Sequence, residues 1–307
     1  MGKLPERYNF YKRRTFITDV VKAAGATALI SIPRIGQSAP PLADNKGYTV
    51  QEVMDIIVKE IPGAPFRETV DTLKSGNAEQ QVTGIVTTMF ATVAVIKQAA
   101  ERKANFIIAH EPTFYNHTDD TQWVADNAVV KAKQELLKQH GIAVWRFHDY
   151  WHTFRPDGIM YGVLKKTGWL KYYKENERTI TMPATPLKKL AGHLKSSLGI
   201  EQVRVIGDPG QVCQKVALLP GASGGQRQVT VAQNVKPDLL IVGELQEWET
   251  AEYIRDARAL GSGISLIVLG HAVSEEPGME WLVEWLQPKI PELKITHLPS
   301  GNPFQWV

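Results

Sequence analysis

Strand and helix signals alternate along residues 48–307, and the alternation predicts an α/β fold with largely parallel sheets. Three observations carry the prediction. Apolar runs at 106–109, 239–242 and 264–269 show almost no polar alternation, as expected of strands covered on both faces. Between such runs lie stretches with apolar residues at helical spacing, among them 91–103, 127–139 and 248–260. Each of the three runs also stops abruptly, at His110, Gly243 or Gly270. A length of 307 residues suits two domains or one large one. A break near Glu175 divides the body into residues 48–172 and 173–307, with the C-terminal segment free to pack back on the first half.

In chain order, 48–60 reads as a helix with Val50, Val53, Ile56 and Ile57 on one face, closing at Pro62-Gly63. A short strand follows at 85–89. The helix at 91–103 turns Val93, Ile96, Ala99 and Ala100 inward. The strand at 106–109 runs into His110-Glu111-Pro112. Proline cannot continue a central strand and disfavours helix for the residue before it, so the strand ends there and 113–120 is a polar loop. The helix at 127–139 is capped by Gly141, and the strand at 142–147 ends in His148-Asp149-Tyr150-Trp151-His152. Asp157-Gly158 reads as a turn and 161–167 as a helix ending at Gly168. In the second half, a strand at 179–182 precedes a helix at 186–198 stopped by Gly199. Strands are expected at 203–206 and 216–219, a Gly-rich loop at 221–225, and a helix from about Gln226. The strand at 239–242 ends in Gly243-Glu244. The helix at 248–260 and the strand at 264–269 lead to Gly270-His271. If a helix starts there, His271 and Glu275 share one face of its first turn. A helix at 279–286 and a strand at 294–297 complete the chain.

The formal charge of +3 misleads. Residues 1–42 hold seven Lys or Arg against two Asp or Glu, so the remainder holds 28 basic and 30 acidic residues, a net of −2. A body near neutrality with no basic tract gives no reason to expect nucleic-acid binding. Lys12-Arg13-Arg14-Thr15-Phe16-Ile17 resembles the twin-arginine export motif, and 20–33 is a modestly apolar segment too short and too polar to span a membrane stably. Residues 1–42 therefore read as a removable export signal and linker, which implies a periplasmic mature protein. An ordinary basic helix is the plainer alternative. The single cysteine, Cys213, excludes an internal disulfide and all Cys-rich zinc motifs, and its setting in Gln-Val-Cys-Gln-Lys-Val is that of a strand residue.

Four strands thus end in groups able to bind or activate something: His110-Glu111, His148 through His152, Gly243-Glu244, and Gly270-His271 with Glu275. Of the eight histidines, four fall at these ends. Any one of them alone is better read as a hydrogen-bonded loop histidine; the set is not. In an open α/β sheet the carboxyl ends of the strands are where ligands bind. His110 and Glu111 are sequence neighbours whose side chains diverge, which suits two ions about 3.5–4 Å apart better than one. Glu275 has two oxygens with which to bridge such a pair, His271 fills an end position and His152 adds a nitrogen. Three imidazoles and two carboxylates suit two divalent transition-metal ions (Zn, Mn, Fe or Ni) and argue against Ca²⁺ or Mg²⁺. A water held between two such ions becomes a bridging hydroxide nucleophile near neutral pH. His148 and Glu244 are candidates for orienting the ligands or for proton transfer, and so for the catalytic role.

On these motifs the chain resembles the NIF-three-like, dinuclear-metal-centre hexameric proteins, some of them labelled GTP cyclohydrolase type 2-like. The resemblance runs from about Tyr48 to Pro299. The family's Gly-His-x-x-x-Glu is intact as Gly270-His271 and Glu275, and its Thr-Gly-Glu is matched by Val242-Gly243-Glu244. Its His-His-Pro appears as His110-Glu111-Pro112, and its His-Thr-Asn-Leu-Asp as His148-Asp149-Tyr150-Trp151-His152. Glu111 stands where the family has histidine and His152 where it has aspartate, so the exchanges are reciprocal and the donor count is kept. The resemblance implies two similar α/β domains with the metal site between them, a hexameric ring, and no inserted middle domain.

Smaller signals remain. The loop at 221–225 is either a tight turn or an anion cradle at a helix N-terminus; it lacks a Lys-Ser/Thr ending. Tyr115, Trp145, Tyr150, Trp151, Phe154 and Trp248 either pack the core or wall a pocket for a flat or sugar-like substrate. Lys165-Lys166 reads as solvated surface. The function expected first is an exported metal-dependent hydrolase acting on an unidentified small molecule. The alternatives are a non-catalytic ring-forming scaffold or metal-storage protein, and GTP ring opening of the cyclohydrolase kind, which export away from cytoplasmic GTP disfavours.

Overall fold

Every residue of the strands β2 (Ile85–Thr88), β3 (Phe106–Ala109), β4 (Ala143–Arg146), β8 (Leu239–Val242) and β9 (Ser265–Val268) is buried, as strands covered on both faces must be. They form the centres of two five-stranded sheets in a computed structural model that describes residues 47–175, 177–305 and 307. The export signal expected over residues 1–42 lies outside the described residues. None of the described helices is long and apolar enough to cross a membrane.

The first sheet has the order β1-β4-β3-β2-β10, with β1 Leu73–Ser75 antiparallel at one edge and β10 Ile295–His297 parallel at the other. The second has the order β5-β7-β8-β9-β6. Here β7 (Val212–Leu219), β8 and β9 are parallel, flanked by the antiparallel edge strands β5 (Thr179–Pro186) and β6 (Arg204–Ile206). The first sheet is therefore four parallel strands with one antiparallel edge and the second three parallel strands with two, and the fold is mixed α/β as the alternation predicts. In β3 the register Ala109↔Arg146 sets the exits of β3 and β4 side by side, and Val242↔Val268 does the same for β8 and β9.

Helices begin where capping side chains supply acceptors. Thr49 and Glu52 form a capping box at α1 (Val50–Val58), and Thr92 caps α2 (Val93–Glu101). Asn127 caps α3 (Ala128–Gln139). The Asp157-Gly158 pair expected as a turn is the start of a helix: the Asp157 carboxylate accepts from the Ile159 and Met160 N–H groups, and α5 runs Gly158–Lys166. Six residues after β4 ends, His152 already lies in a short helix, α4 (Asp149–Thr153), which has too few residues for a period to be read. Later helices are α6 (Leu187–Leu198), α7 (Gly225–Val235) and α8 (Glu252–Ala259), the last preceded by a π-helical turn at Glu247–Ala251. Strands β5 and β7 are longer than their apolar cores suggest, because exposed polar residues extend their mutual pairing.

The largest correction concerns the last helix. Expected over 279–286, α9 instead runs His271–Leu286 and passes through Pro277. It begins beside β9 and continues into the core of the first sheet, where Met279, Leu282 and Leu286 pack with Ile85, Phe106 and Trp145. It lies against α5 at Gly162 and Gly278, so close that a Cβ on Gly162 would sit 2.5 Å from the Gly278 Cα. β10 then pairs with β2.

Candidate metal centre

The parallel strands of the two sheets and α9 bring five chain segments to one pocket. His110 leaves β3 with its N–H donated to Thr88 O at 3.1 Å, and Glu111 follows with its N–H on Met89 O at 2.8 Å, so the backbone of both is an extension of the sheet. From β4 the chain turns into α4 at His148. The buried Asp71 carboxylate fixes that turn by accepting the N–H groups of His148, Asp149 and Tyr150 at 2.8, 3.0 and 2.7 Å. Burial pushes the Asp71 carboxyl up to about 6 while those three N–H bonds pull it back. His148 and His152 are then one helical turn apart with rings 4.8 Å from each other, and the ring of His110 lies 4.7 and 5.0 Å from them. From the second sheet, Gly270 turns β9 into α9, and His271 and Glu275 share its first turn with Nε2 and Oε2 3.2 Å apart.

All four imidazoles are oriented in the same sense. His110 Nδ1 meets the Phe147 carbonyl at 3.0 Å, His148 Nδ1 the Asp149 carboxylate at 2.9 Å, His152 Nδ1 the Asp157 carboxylate at 3.1 Å, and His271 Nδ1 the Glu244 carboxylate at 3.2 Å. Each of those oxygens can only accept, so each Nδ1 carries the proton. A ring that is neutral in this tautomer offers the Nε2 lone pair, the arrangement found around metal-bound histidines. Three of these Nε2 atoms face two buried carboxylates. His271 Nε2 is 3.3 Å from Glu111 Oε1, His148 Nε2 is 3.7 Å from the same oxygen, and His110 Nε2 is 3.8 Å from Glu275 Oε2.

His110 Nε2 and Glu275 Oε2 are buried with no hydrogen-bond partner. A buried carboxylate oxygen without a donor calls for a cation. Two overlapping sets have donor atoms within 4.8 Å of one another, His110–His148–His152 and His110–Glu111–Glu275, so the buried His/Glu groups could hold a metal. The protonation preferences divide: at His152 burial acts downward, but the Asp157 carboxylate raises the ring. Burial holds the His110 ring well below the ordinary histidine range, and burial together with the His152 charge lowers that of His148. At His271 burial acts downward, but the facing carboxylates of Glu111, Glu244 and Glu275 push it up to about 12. The carboxylates there ask for positive charge, which a proton or a metal ion can provide.

Of the residues expected at the centre, His110, Glu111, His152, His271 and Glu275 all reach the pocket. Glu244, half exposed at its mouth, holds His271, as expected of an orienting group. His148, expected to orient or transfer a proton, stands level with the ligand candidates. Arg146 was not among the expected residues. It is fully buried, donates to the backbone oxygens of His110 and His117, and sits 3.5 Å from Glu111 Oε2 and 3.7 Å from Asp119 Oδ2. Its only sequence signal is an arginine closing an otherwise apolar strand.

The Gly-rich loop at 221–225 serves the centre differently from either reading. Gly221, at φ +66°, lies against Glu275 so closely that a Cβ there would be 2.1 Å from Oε1. The aromatic wall does not form: Trp145, Tyr150 and Trp151 are core residues, while Tyr115 and Trp248 are exposed. The aromatic ring beside the donors is Phe90, edge-on to His271 at 5.7 Å. Cys213 is buried in β7, and burial pushes its thiol up to about 11, so it is no nucleophile.

A model of the Duf34/NIF3 (NGG1p interacting factor 3) family matches residues 48–303. A Clostridium perfringens protein named "GTP cyclohydrolase 1 type 2 homolog" is 24% identical over 273 residues, covering 82% of this chain and 97% of the relative. The structure of a protein called ybgI, described as of unknown function, superposes with a TM-score of 0.67 at 21% identity, covering 84% of this chain and 100% of that one. A Bacillus cereus protein related to NIF3 gives a TM-score of 0.65 at 17% identity, with 85% and 100% covered. At such identities the two structures speak for the fold alone.

Proposed function

This chain belongs to the Duf34/NIF3 family, and we propose that it is a metal-dependent hydrolase built around two divalent transition-metal ions. One observation carries the reading: of four imidazoles locked through Nδ1, those of His110, His148 and His271 present Nε2 to two buried carboxylates, and His110 Nε2 and Glu275 Oε2 are buried without a hydrogen bond. A pair of ions supplies Lewis acidity and acidifies water at neutral pH. The chain's own groups do the rest. His110, Glu111, His152, His271 and Glu275 hold the ions, with His148 beside them. Glu244, on the solvent side of His271, holds that ring and is placed to move a proton to or from a leaving group. His148 and His271 are partly open to solvent while His110 and Glu275 are buried, which suits turnover at an accessible face more than sealed storage.

The substrate class is a phosphoester, an amide or a cyclic C–N bond. GTP, suggested by the names of relatives, is the cyclic C–N case. The test is metal content by mass spectrometry followed by a hydrolase panel that includes GTP, on wild type and His271→Ala. Metal-dependent turnover lost in the variant supports the reading; bound metal without turnover on any class favours storage or scaffolding. We further propose export by the twin-arginine route to the periplasm and assembly into a hexameric ring. Retention of an Arg13→Lys, Arg14→Lys double variant in the cytoplasm would support the first. A solution mass of six chains by light scattering would support the second.

A further inference from the structure

The three imidazoles of the first sheet and the carboxylates of the pocket form two unlike halves. His110, His148 and His152 stand within 5.0 Å of one another ring to ring, and the backbone oxygen or carboxylate behind each leaves only nitrogen facing inward. His110 has one available lone pair and so serves one ion. On the other side, His271 Nε2 is 3.2 Å from Glu275 Oε2 and 3.3 Å from Glu111 Oε1. The buried Arg146 is 3.5 Å from Glu111 Oε2, which turns that oxygen away and leaves Oε1 alone toward the pocket. Glu111 is thereby a one-oxygen donor. Glu275 has no such neighbour: Oε2 lies between His271 Nε2 and His110 Nε2, at 3.2 and 3.8 Å, just as Glu111 Oε1 lies between His271 Nε2 and His148 Nε2, at 3.3 and 3.7 Å, so one oxygen of each carboxylate stands at the boundary of the two halves.

We propose that the centre is a mixed-metal site, with an all-nitrogen subsite formed by His110, His148 and His152 and an oxygen-rich subsite formed by Glu111, Glu275 and His271, each selecting a different ion. The inference rests on the two-metal reading above and deepens it. Imidazole-only donors favour borderline ions such as Zn²⁺; carboxylate-rich donors accept harder ions such as Mn²⁺. Raw affinity runs in favour of Zn²⁺ over Mn²⁺ at any site of this kind, so selectivity shows only when zinc is limiting. His152, where the resembled family has aspartate, makes the first subsite free of oxygen; Glu111, where it has histidine, makes the second rich in it.

The test uses the full chain stripped with chelator and reloaded with one molar equivalent of Zn²⁺ and then one of Mn²⁺. Anomalous maps at the two absorption edges should place zinc at His110, His148 and His152 and manganese at Glu111, Glu275 and His271. Electron paramagnetic resonance should show an uncoupled six-line manganese signal, because its neighbour is diamagnetic. In His152→Asp the same loading should spread zinc evenly over both subsites. If that variant does not fold, His148→Gln, which removes a nitrogen without adding a charge, should shift zinc in the same direction. Zinc divided evenly over both subsites in the wild type, or a coupled manganese pair, would overturn the mixed site while leaving the two-metal reading in place. One ion per chain, or retention of neither metal, would overturn the two-metal reading itself.

Discussion

The two sides of the pocket are built by different means. On the first-sheet side, His110, His148 and His152 are fixed by backbone: strand pairing to β2, and a short helix whose N–H groups converge on Asp71. On the α9 side, His271 and Glu275 are fixed by close packing, with Gly221 pressed on the Glu275 carboxylate and Glu244 holding the ring. The first side brings three imidazoles and the Glu111 carboxylate; the second brings His271 and the Glu275 carboxylate. A metal centre needs both, and a defect on either side should show a different signature.

Removing the charge should have the largest effect. Glu275→Gln keeps the shape and takes away the charge of a buried carboxylate whose Oε2 faces both halves. We expect metal binding weaker by at least about a hundredfold, beyond the roughly 10–100-fold typical of losing an outer partner. Mass spectrometry of the purified variant checks this, and near-normal metal content would end the claim that the centre needs the Glu275 charge. Next comes the packing that holds it. Gly221→Ala places a methyl group 2.1 Å from Glu275 Oε1 in a left-handed conformation, so unfolding in denaturant should show a loss of about 2 kcal/mol or more, with reduced metal content. Stability and metal content unchanged together would mean that packing does not fix Glu275.

The first-sheet side should fail through its backbone. Asp71→Asn leaves at least one N–H of α4 short of an anionic acceptor, at a cost of about 1–3 kcal/mol. Because α4 carries two of the three imidazoles, affinity should fall with stability, and the two read by melting and metal titration should move together. The smallest effect is a pH response confined to this side. Lys133, whose ammonium donates to Thr113 O, is pushed by burial down to about 8. Between that value and its unfolded one the unfolded chain binds more protons. The stability at stake is therefore fully present above the unfolded value and lost as pH falls through about 8, at roughly 1 kcal/mol per unit. Lys133→Met should abolish that slope in denaturant melts at pH 7 and pH 9.5; an unaltered slope would assign it elsewhere.

What the sequence shows of this centre follows from how local each signal is. The buried central strands are legible because parallel strands are apolar on both faces. The pair His271 and Glu275 is legible because four residues make one turn. The orientation of His148 is not, because it depends on Asp71, 77 residues upstream. Arg146 and Gly221 carry no local mark either: one becomes an ion partner and the other a carboxylate seat only when distant segments arrive. Edge strand β1, three residues long and half-buried, has no alternation to read. The reach of α9 into the first core is hidden by Pro277, which reads as a boundary but lies inside the helix.

β10 carries a consequence for the order of biosynthesis. The first sheet closes only when residues 295–297 pair with β2, more than 200 residues behind them on the chain. A ribosome delivers the early histidines long before the glutamate at 275, and the edge that seals their sheet emerges last. The cage therefore closes only once residues 295–297 have been made, and chains halted before them would carry loose imidazoles without the partners that make them selective.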